Sequence, residues 1–472
     1  MTKPPVEWSR QVFLILIAFS LVSSACISAR RTPNLEHIFA SARARTGKRP
    51  VIVIPGILGT ELINSKTGEK VWPSAFRTSQ EGLPISPDLA ANRDDLVPGK
   101  IIETVKLAKV LPEVYVYRDL LEALRRYAGY RDGDWDNPAA DGYQDTFYVF
   151  AYDWRQDNVS NARELVRRID RLKTKLQRPD LKFNIIAHSM GGLIARYAAM
   201  YGDADLPADE SPIAPTWLGA AHISKIVMIG VPNEGSADAF ATLVEGYSIT
   251  EGLRRRVPLL NKLTAEDVVK TPAVFQLMPH RESVRFLDEN LQALPIDLYD
   301  VEVWKRYGWS VIYSSSDFRR RFAETSGTDG RSENVLDAYL AAQLRRARRF
   351  HDALDTKSTD APVTLLAIGG DCEETLNSPV LLRDEKRNRW ITLTRPRDYR
   401  TSSGLKISKQ KATDAMYRPG DGRVTRVSLL GENIFKDLSR YAVFGCDLHG
   451  QLPRNPSLQD NALTAIVGEV LN

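Results

Sequence analysis

A serine that attacks a carbonyl needs its hydroxyl held clear of the backbone, a base to take its proton, and a donor for the negative charge that forms. Ser189 has the local sequence for the first and third of these. It follows an apolar run, Phe183 to Ala187, that reads as a buried strand. It precedes Gly191, Gly192 and the helix formers from Leu193 onward. A strand that turns sharply into a helix at a serine is a nucleophile elbow. Strand and helix nearly touch there, so small residues are needed two before and two after the serine. Ala187 and Gly191 meet that need, alanine standing where a glycine is usual. The turn leaves the N–H of Met190 at a helix N-terminus, available to an oxyanion.

The base must be one of six histidines. Enzymes with such an elbow run serine, acid, histidine along the chain, which sets aside His37 and His188. His222 opens a strand, while His280 and His351 fall in a helical stretch. His449, just after the last apolar strand, is the candidate base. Two aspartates precede it. Asp371 ends the strand before last, and Asp421 sits in the glycine-flanked turn Gly420-Asp421-Gly422-Arg423-Val424. Position alone leaves that choice open. A second oxyanion donor is expected from the turn after an early buried strand, here Arg49 to Ile54 followed by Pro55-Gly56-Ile57-Leu58-Gly59-Thr60. Ile57 is the expected donor, with Leu58 next.

The elements that must hold these groups alternate. After the 49–54 strand and a polar, proline-rich excursion over 67–104, the spacing predicts a helix at 118–127 and a strand at 146–152. An amphipathic helix at 158–176, the elbow strand and its helix, and a strand at 223–231 follow. Strands that are apolar almost throughout and alternate with helices predict an α/β fold, a doubly wound, mostly parallel sheet buried on both faces. The alternation breaks from 237 to 361, a largely helical insertion placed to form a cap or lid. It resumes with strands at 362–368 and 440–446 and a closing helix at 458–471. The expected organisation is a leader over 1–25, a tether over 26–48, a core in two parts (49–236 and 362–472), and the insertion between them.

Composition is that of a globular protein, 43% hydrophobic and 26% charged, and a net charge of +5 over 472 residues gives no reason to expect nucleic acid as partner. Basic clusters at Arg254–Arg256, Arg319–Arg321 and Arg345, Arg346, Arg348, Arg349 read first as solvated faces, with contact to anionic lipid head groups as the alternative. Three cysteines make neither a disulfide framework nor a zinc site. Lys3 and Arg10, the apolar run Val12 to Val22, and Ser23-Ser24-Ala25-Cys26 have the layout of an export signal. The last residues look like a lipobox, with Cys26 as the residue that would carry lipid. The folded part is accordingly expected in a bacterial cell envelope, outside the cytosol.

Six blocks occur in one order: PGILGTEL from Pro55, AYDWR from Ala151, AHSMGGLIARY from Ala187, GVPNEGS from Gly230, GDGRV from Gly420 and LHGQLPRNP from Leu448. Together they resemble the lecithin:cholesterol acyltransferase family, which includes lysosomal phospholipase and phospholipid:diacylglycerol acyltransferases. The resemblance implies an α/β-hydrolase fold with a cap and a Ser-Asp-His triad that moves acyl chains between lipid esters and acceptors. By position it assigns Ser189 as nucleophile, Asp421 rather than Asp371 as acid, and His449 as base, with Met190 and Ile57 as oxyanion donors. It calls for no metal or organic cofactor. Arg423 departs from the threonine usual beside the acid. In this fold the strands ending at Cys372 and Cys446 are neighbours, so in an oxidising compartment the two could form a disulfide, with two small buried thiols as the alternative. The implied function is a serine-dependent lipid acyl-ester hydrolase or O-acyltransferase acting at a membrane surface. A carboxylesterase or thioesterase for small soluble esters, and an inactive envelope-anchored binding protein, are the alternatives.

Overall fold

A computed structural model of the chain describes residues 32–468, except 74–81, 107–112, 208, 210, 212, 249–261, 281–284, 327–331, 356–360, 433, 436 and 437. The suggested leader, Cys26 and Arg254–Arg256 lie outside the described residues. Among those described, no helix is long and apolar enough to cross a membrane.

Seven parallel strands form the central sheet. In chain order they are β1 (Val51–Ile54), β2 (Arg131–Asp132), β3 (Thr146–Val149), β4 (Phe183–His188), β5 (Ile223–Ile229), β6 (Thr364–Gly370) and β7 (Ala442–Gly445). Their spatial order is β7-β6-β5-β4-β1-β3-β2. The alternation of side chains along each strand feeds two cores. Ile52, Ile54, Ile185 and Ala187 face one, and Val51, Val53, Ile186 and Val227 face the other. Helices α1 (Arg118–Arg126), α2 (Asn158–Lys175), α3 (Met190–Tyr201), α4 (Ala237–Glu245), α5 (Ser332–Leu354) and α6 (Pro456–Val467) surround the sheet. Leu165, Ile169 and Leu172 of α2 seal the first face, and Leu120 of α1 with Leu458 and Leu463 of α6 seal the second. Apolar strands need cover on both sides, and this arrangement supplies it.

Two stretches differ from the sequence expectation. The 67–104 excursion is partly ordered. Thr60–Asn64, Lys70–Trp72 and Leu96–Ile101 make a small antiparallel sheet, despite the Pro98-Gly99 that argues against a strand. The stretch 362–472 is also not core throughout. After β6 the chain leaves the sheet, and Val380–Asp384 and Arg389–Leu393 join Phe286–Leu287 and Ala293–Leu294 of the insertion in a four-stranded sheet. Chain order cannot reveal a strand contributed to an accessory sheet from across the fold.

The insertion is pinned to the elbow helix. The Tyr201 hydroxyl donates to the Ala353 carbonyl (2.8 Å) and the Arg196 guanidinium to that of Leu354 (2.7 Å), while Tyr197 stacks on Phe350. Arg346 of α5 reaches Asp157, the N-cap of α2, with two hydrogen bonds of 3.0 Å. The described arginine clusters lie at the surface or are partly buried, and many of their side chains are paired. Arg348 pairs with Asp297, Arg349 donates to the carbonyls of Pro207 and Asp209, and Arg321 pairs with Glu266. Their charges are spent on binding the insertion together.

Burial alone would raise the Asp157 carboxyl, but the Arg346 guanidinium, the Ser160 N–H and the Gln276 amide hold it below its ordinary value. A lowered folded value means that the stabilisation is complete above the unfolded pKa of about 3.9, and is lost as pH falls through the folded one. Asp157→Asn should cost about 2–3 kcal/mol at pH 7, because Arg346 keeps Asp205 as a partner and the loss is that of hydrogen bonds to a charged group. In thermal melts the gap between parent and variant should close below pH ~4; a gap constant from pH 3 to 7 would contradict the assignment.

Just past the ends of β6 and β7, Cys372 and Cys446 form a disulfide spanning a sequence separation of 74. Loop-closure entropy gives such a bridge about 4 kcal/mol. Reduction, or paired replacement by serine, should therefore lower the melting temperature by several degrees. An unchanged melt would argue that no bridge forms.

Candidate active site

The sharp turn is built as the sequence requires. Ser189 follows β4 with φ 53° and ψ −128° and serves as N-cap of α3. A non-glycine residue holds such angles only where its surroundings over-determine them. Here the Ser189 N–H donates to the Ile229 carbonyl of β5 (2.8 Å), and its carbonyl accepts from Gly192 (3.0 Å). A Cβ at Gly191 would lie 2.6 Å from the Pro55 carbonyl oxygen, and one at Gly56 2.8 Å from the Ser189 Cβ. Both positions therefore exclude any side chain.

At the carboxyl edge of the sheet the chain brings together three side chains far apart in sequence. The Ser189 hydroxyl lies 2.9 Å from His449 Nε2, and His449 Nδ1 lies 2.8 Å from Asp421 Oδ2. The Asp421 carboxylate must accept, so Nδ1 carries the proton and Nε2 is left to accept from the serine. The other carboxylate oxygen accepts from the N–H groups of Arg423 (3.0 Å) and Val424 (2.7 Å), and the His449 N–H donates to the Asp421 carbonyl (2.8 Å). Asp371 is not part of this group; it lies near Arg426 at 3.7 Å. Arg423, the odd residue in the acid's turn, directs its side chain to Asp238 of α4. That removes it from the triad and ties the turn to the fold.

The loop after β1 is held from several sides. Carbonyls of Pro55, Leu58 and Thr60 accept from the Tyr152 hydroxyl (2.8 Å), the Trp72 indole (3.0 Å) and the Trp154 indole (3.1 Å). The Gly56 N–H donates to the Tyr117 hydroxyl (2.8 Å). Among the described residues no hydrogen bond takes up the N–H of Ile57 or of Met190. Two free donors on a clamped loop and a helix start are what an oxyanion site requires. The AYDWR block has its explanation here, since Tyr152 and Trp154 both support that loop. In the GVPNEGS block, Asn233 accepts from buried Arg196 (3.0 Å).

His222, His280 and His351 stand apart. His222 lies near Lys173, and His280 stacks on His351 while facing Asp355 (2.9 Å). A cavity lined by His280, Tyr299, Arg348 and His351 belongs to the insertion, not to Ser189. Sequence reasoning missed Tyr117 and His188, which touch the site from within. Chain order excluded His188 as the base, and Tyr117 carries no local motif.

Residues 126–323 match the family model described as lecithin:cholesterol acyltransferase. That span includes the elbow but ends before Asp421 and His449. No curated protein matches the sequence. Forty-two solved chains match the structure. One is from the crystal structure of a Tle4-Tli4 complex, at 15% identity and TM-score 0.54, with 90% of this chain and 99% of that chain covered. Another is Bacillus licheniformis lipase BlEst2 in mature form, at 10% identity and TM-score 0.30, with 89% and 92% covered. A third is EstA from Clostridium botulinum, at 14% identity and TM-score 0.33, with 90% and 88% covered. At such identities a structural likeness speaks of fold alone. The chain has an α/β-hydrolase fold, and residues 126–323, less than half of its length, are similar to the lecithin:cholesterol acyltransferase family.

Proposed function

We propose that this protein is a serine-dependent lipid acyl-ester hydrolase or O-acyltransferase. The observation that carries the reading is the run of contacts from Ser189 through His449 to Asp421, at 2.9 and 2.8 Å. His449 takes the Ser189 proton as the oxygen attacks the ester carbonyl, and Asp421 stabilises the imidazolium. The N–H groups of Met190 and Ile57 receive the oxyanion, each donor being worth about 2.7–4 kcal/mol in enzymes of this type. The tetrahedral intermediate collapses as the imidazolium protonates the leaving alcohol or lysolipid, leaving an acyl-serine. Water or a second hydroxyl, deprotonated by His449, attacks that ester and regenerates the serine.

Two features favour lipid over small soluble esters. Ser189 is only 6% and His449 only 8% exposed, so an acyl chain must displace cover to reach them. Leu448, which precedes the base and lies against Gly422 of the acid's turn, is 54% exposed, an apolar side chain at the edge of the site. The insertion pinned to α3 is proposed as that cover.

Ser189→Ala should abolish ester turnover, and Asp421→Asn should lower kcat by about 10³–10⁴-fold. Asp371→Asn should leave kcat nearly unchanged; equal losses at the two aspartates would remove Asp421 from its role. On substrate class, the same ester should turn over faster in micelles or vesicles than as monomer, and Leu448→Ser should reduce the vesicle rate while sparing the monomer rate. Equal rates in both forms would favour a carboxylesterase for small soluble esters.

A further inference from the structure

We propose that Tyr117 and His188 are a buried positioning pair that locks the oxyanion loop and the base His449 into one register. The inference rests on the function proposed above and deepens it. The Tyr117 hydroxyl accepts from the Gly56 N–H at 2.8 Å and lies 2.7 Å from His188 Nδ1. The other ring nitrogen of His188 lies 3.2 Å from the backbone carbonyl oxygen of His449. Tyr117 and His188 are 2% and 7% exposed.

The proton positions follow from counting donors. A phenol has one proton. With Gly56 occupying its oxygen as donor, Tyr117 gives that proton to His188 Nδ1, which must be bare. The imidazole proton then sits on Nε2 and points at the His449 carbonyl. The result is one directed series: Gly56 N–H to Tyr117, Tyr117 O–H to His188 Nδ1, His188 Nε2–H to the carbonyl of His449. Its first member is the residue before the proposed oxyanion donor Ile57. Its last is the proposed base, and its third, His188, is bonded covalently to the proposed nucleophile.

This series needs His188 neutral. Protonating Nδ1 would set an N–H against the Tyr117 proton. It would also place a cation beside His449, whose ring centroid is 4.9 Å away and which must itself become cationic in the reaction. The groups facing His188 are Tyr117, His449 and Asp421. Burial, with the His449 charge adding to it, pushes the His188 pKa down to about 3, outweighing the hydrogen bond to the His449 backbone and the attraction of Asp421. An ordinary buried pair would satisfy its own polar atoms and end there. This one ends on two backbone segments whose relative placement sets how nucleophile, base and oxyanion donors meet. A misplacement of about 1 Å at such a site costs about 100-fold in rate.

The test is steady-state kinetics on a short-chain ester, with melting temperatures, for Tyr117→Phe, His188→Gln, His188→Leu and Ser189→Ala. Tyr117→Phe should lower kcat at least about tenfold and leave KM within about twofold, the pattern for an interaction realised in the transition state. Its melt should stay within a few degrees. His188→Gln, whose amide N–H can still reach the His449 carbonyl, should retain more kcat than His188→Leu. If Tyr117→Phe folds normally with kcat within about twofold of the parent while Ser189→Ala is dead, the positioning role is wrong and the proposed function stands. An active Ser189→Ala would instead sink the proposed function. The parent alone gives an independent answer by ¹⁵N-histidine NMR. His188 should remain an Nε2–H tautomer down to pH ~5, and an Nδ1–H tautomer, or titration near the ordinary histidine pKa of about 6.5, would overturn the inference.

Discussion

The left-handed backbone at Ser189 is the constraint on which the rest depends. A strand leaving a parallel sheet can pass into a helix within one residue only if that residue adopts angles that L side chains avoid, here φ 53°. Such a conformation costs of order 1–3 kcal/mol and lasts only where packing enforces it. The enforcement is visible: β5 holds the Ser189 N–H, the turn after β1 presses against Gly191, and Gly56 leaves room for the serine's own Cβ. The sheet therefore does more than fill the core. Its carboxyl edge collects Ser189, the loop at 55–60 and the turn that carries Asp421 into one small volume.

Around that turn the structure places almost every polar group under restraint. The loop at 55–60 has its carbonyls held by Tyr152, Trp72 and Trp154, so its remaining N–H groups have fixed directions. The Asp421 carboxylate takes two backbone donors on one oxygen and the imidazole on the other. Electrostatic catalysis works through donors that do not reorganise as charge develops, and restraint of this kind is how a protein provides them. The insertion adds to it, since Arg196, Tyr201 and Arg346 fasten α5 to the elbow helix and to the N-cap of α2.

Much of this was legible in the chain because the signals were local. An apolar strand running into Ser189 and a glycine pair shows its turn in eleven residues, and the alternation of apolar strands with helices announced the sheet. The base could be reached by order and position among six histidines. The acid could not: by local position Asp371 and Asp421 are equally plausible, and only the family resemblance singles out Asp421, the one that faces His449 in the fold. Non-local features stayed hidden for the same reason. The strand at 380–384 pairs with the one at 286–287, and Tyr117 meets His188 across 71 positions. Most of the described arginines in the basic runs pair with carboxylates or carbonyls of the chain itself, largely at the surface, information that a charge count does not hold.

The central claim is that Ser189 attacks carbonyl carbon with its proton passing to His449. It is tested most directly by treating the intact protein with a fluorophosphonate and mapping the adduct by mass spectrometry. A single modified residue is expected, Ser189, whose labelling collapses in His449→Ala and keeps pace with loss of ester turnover. Turnover that survives complete labelling of Ser189, or an adduct on another residue that tracks inactivation, would contradict it.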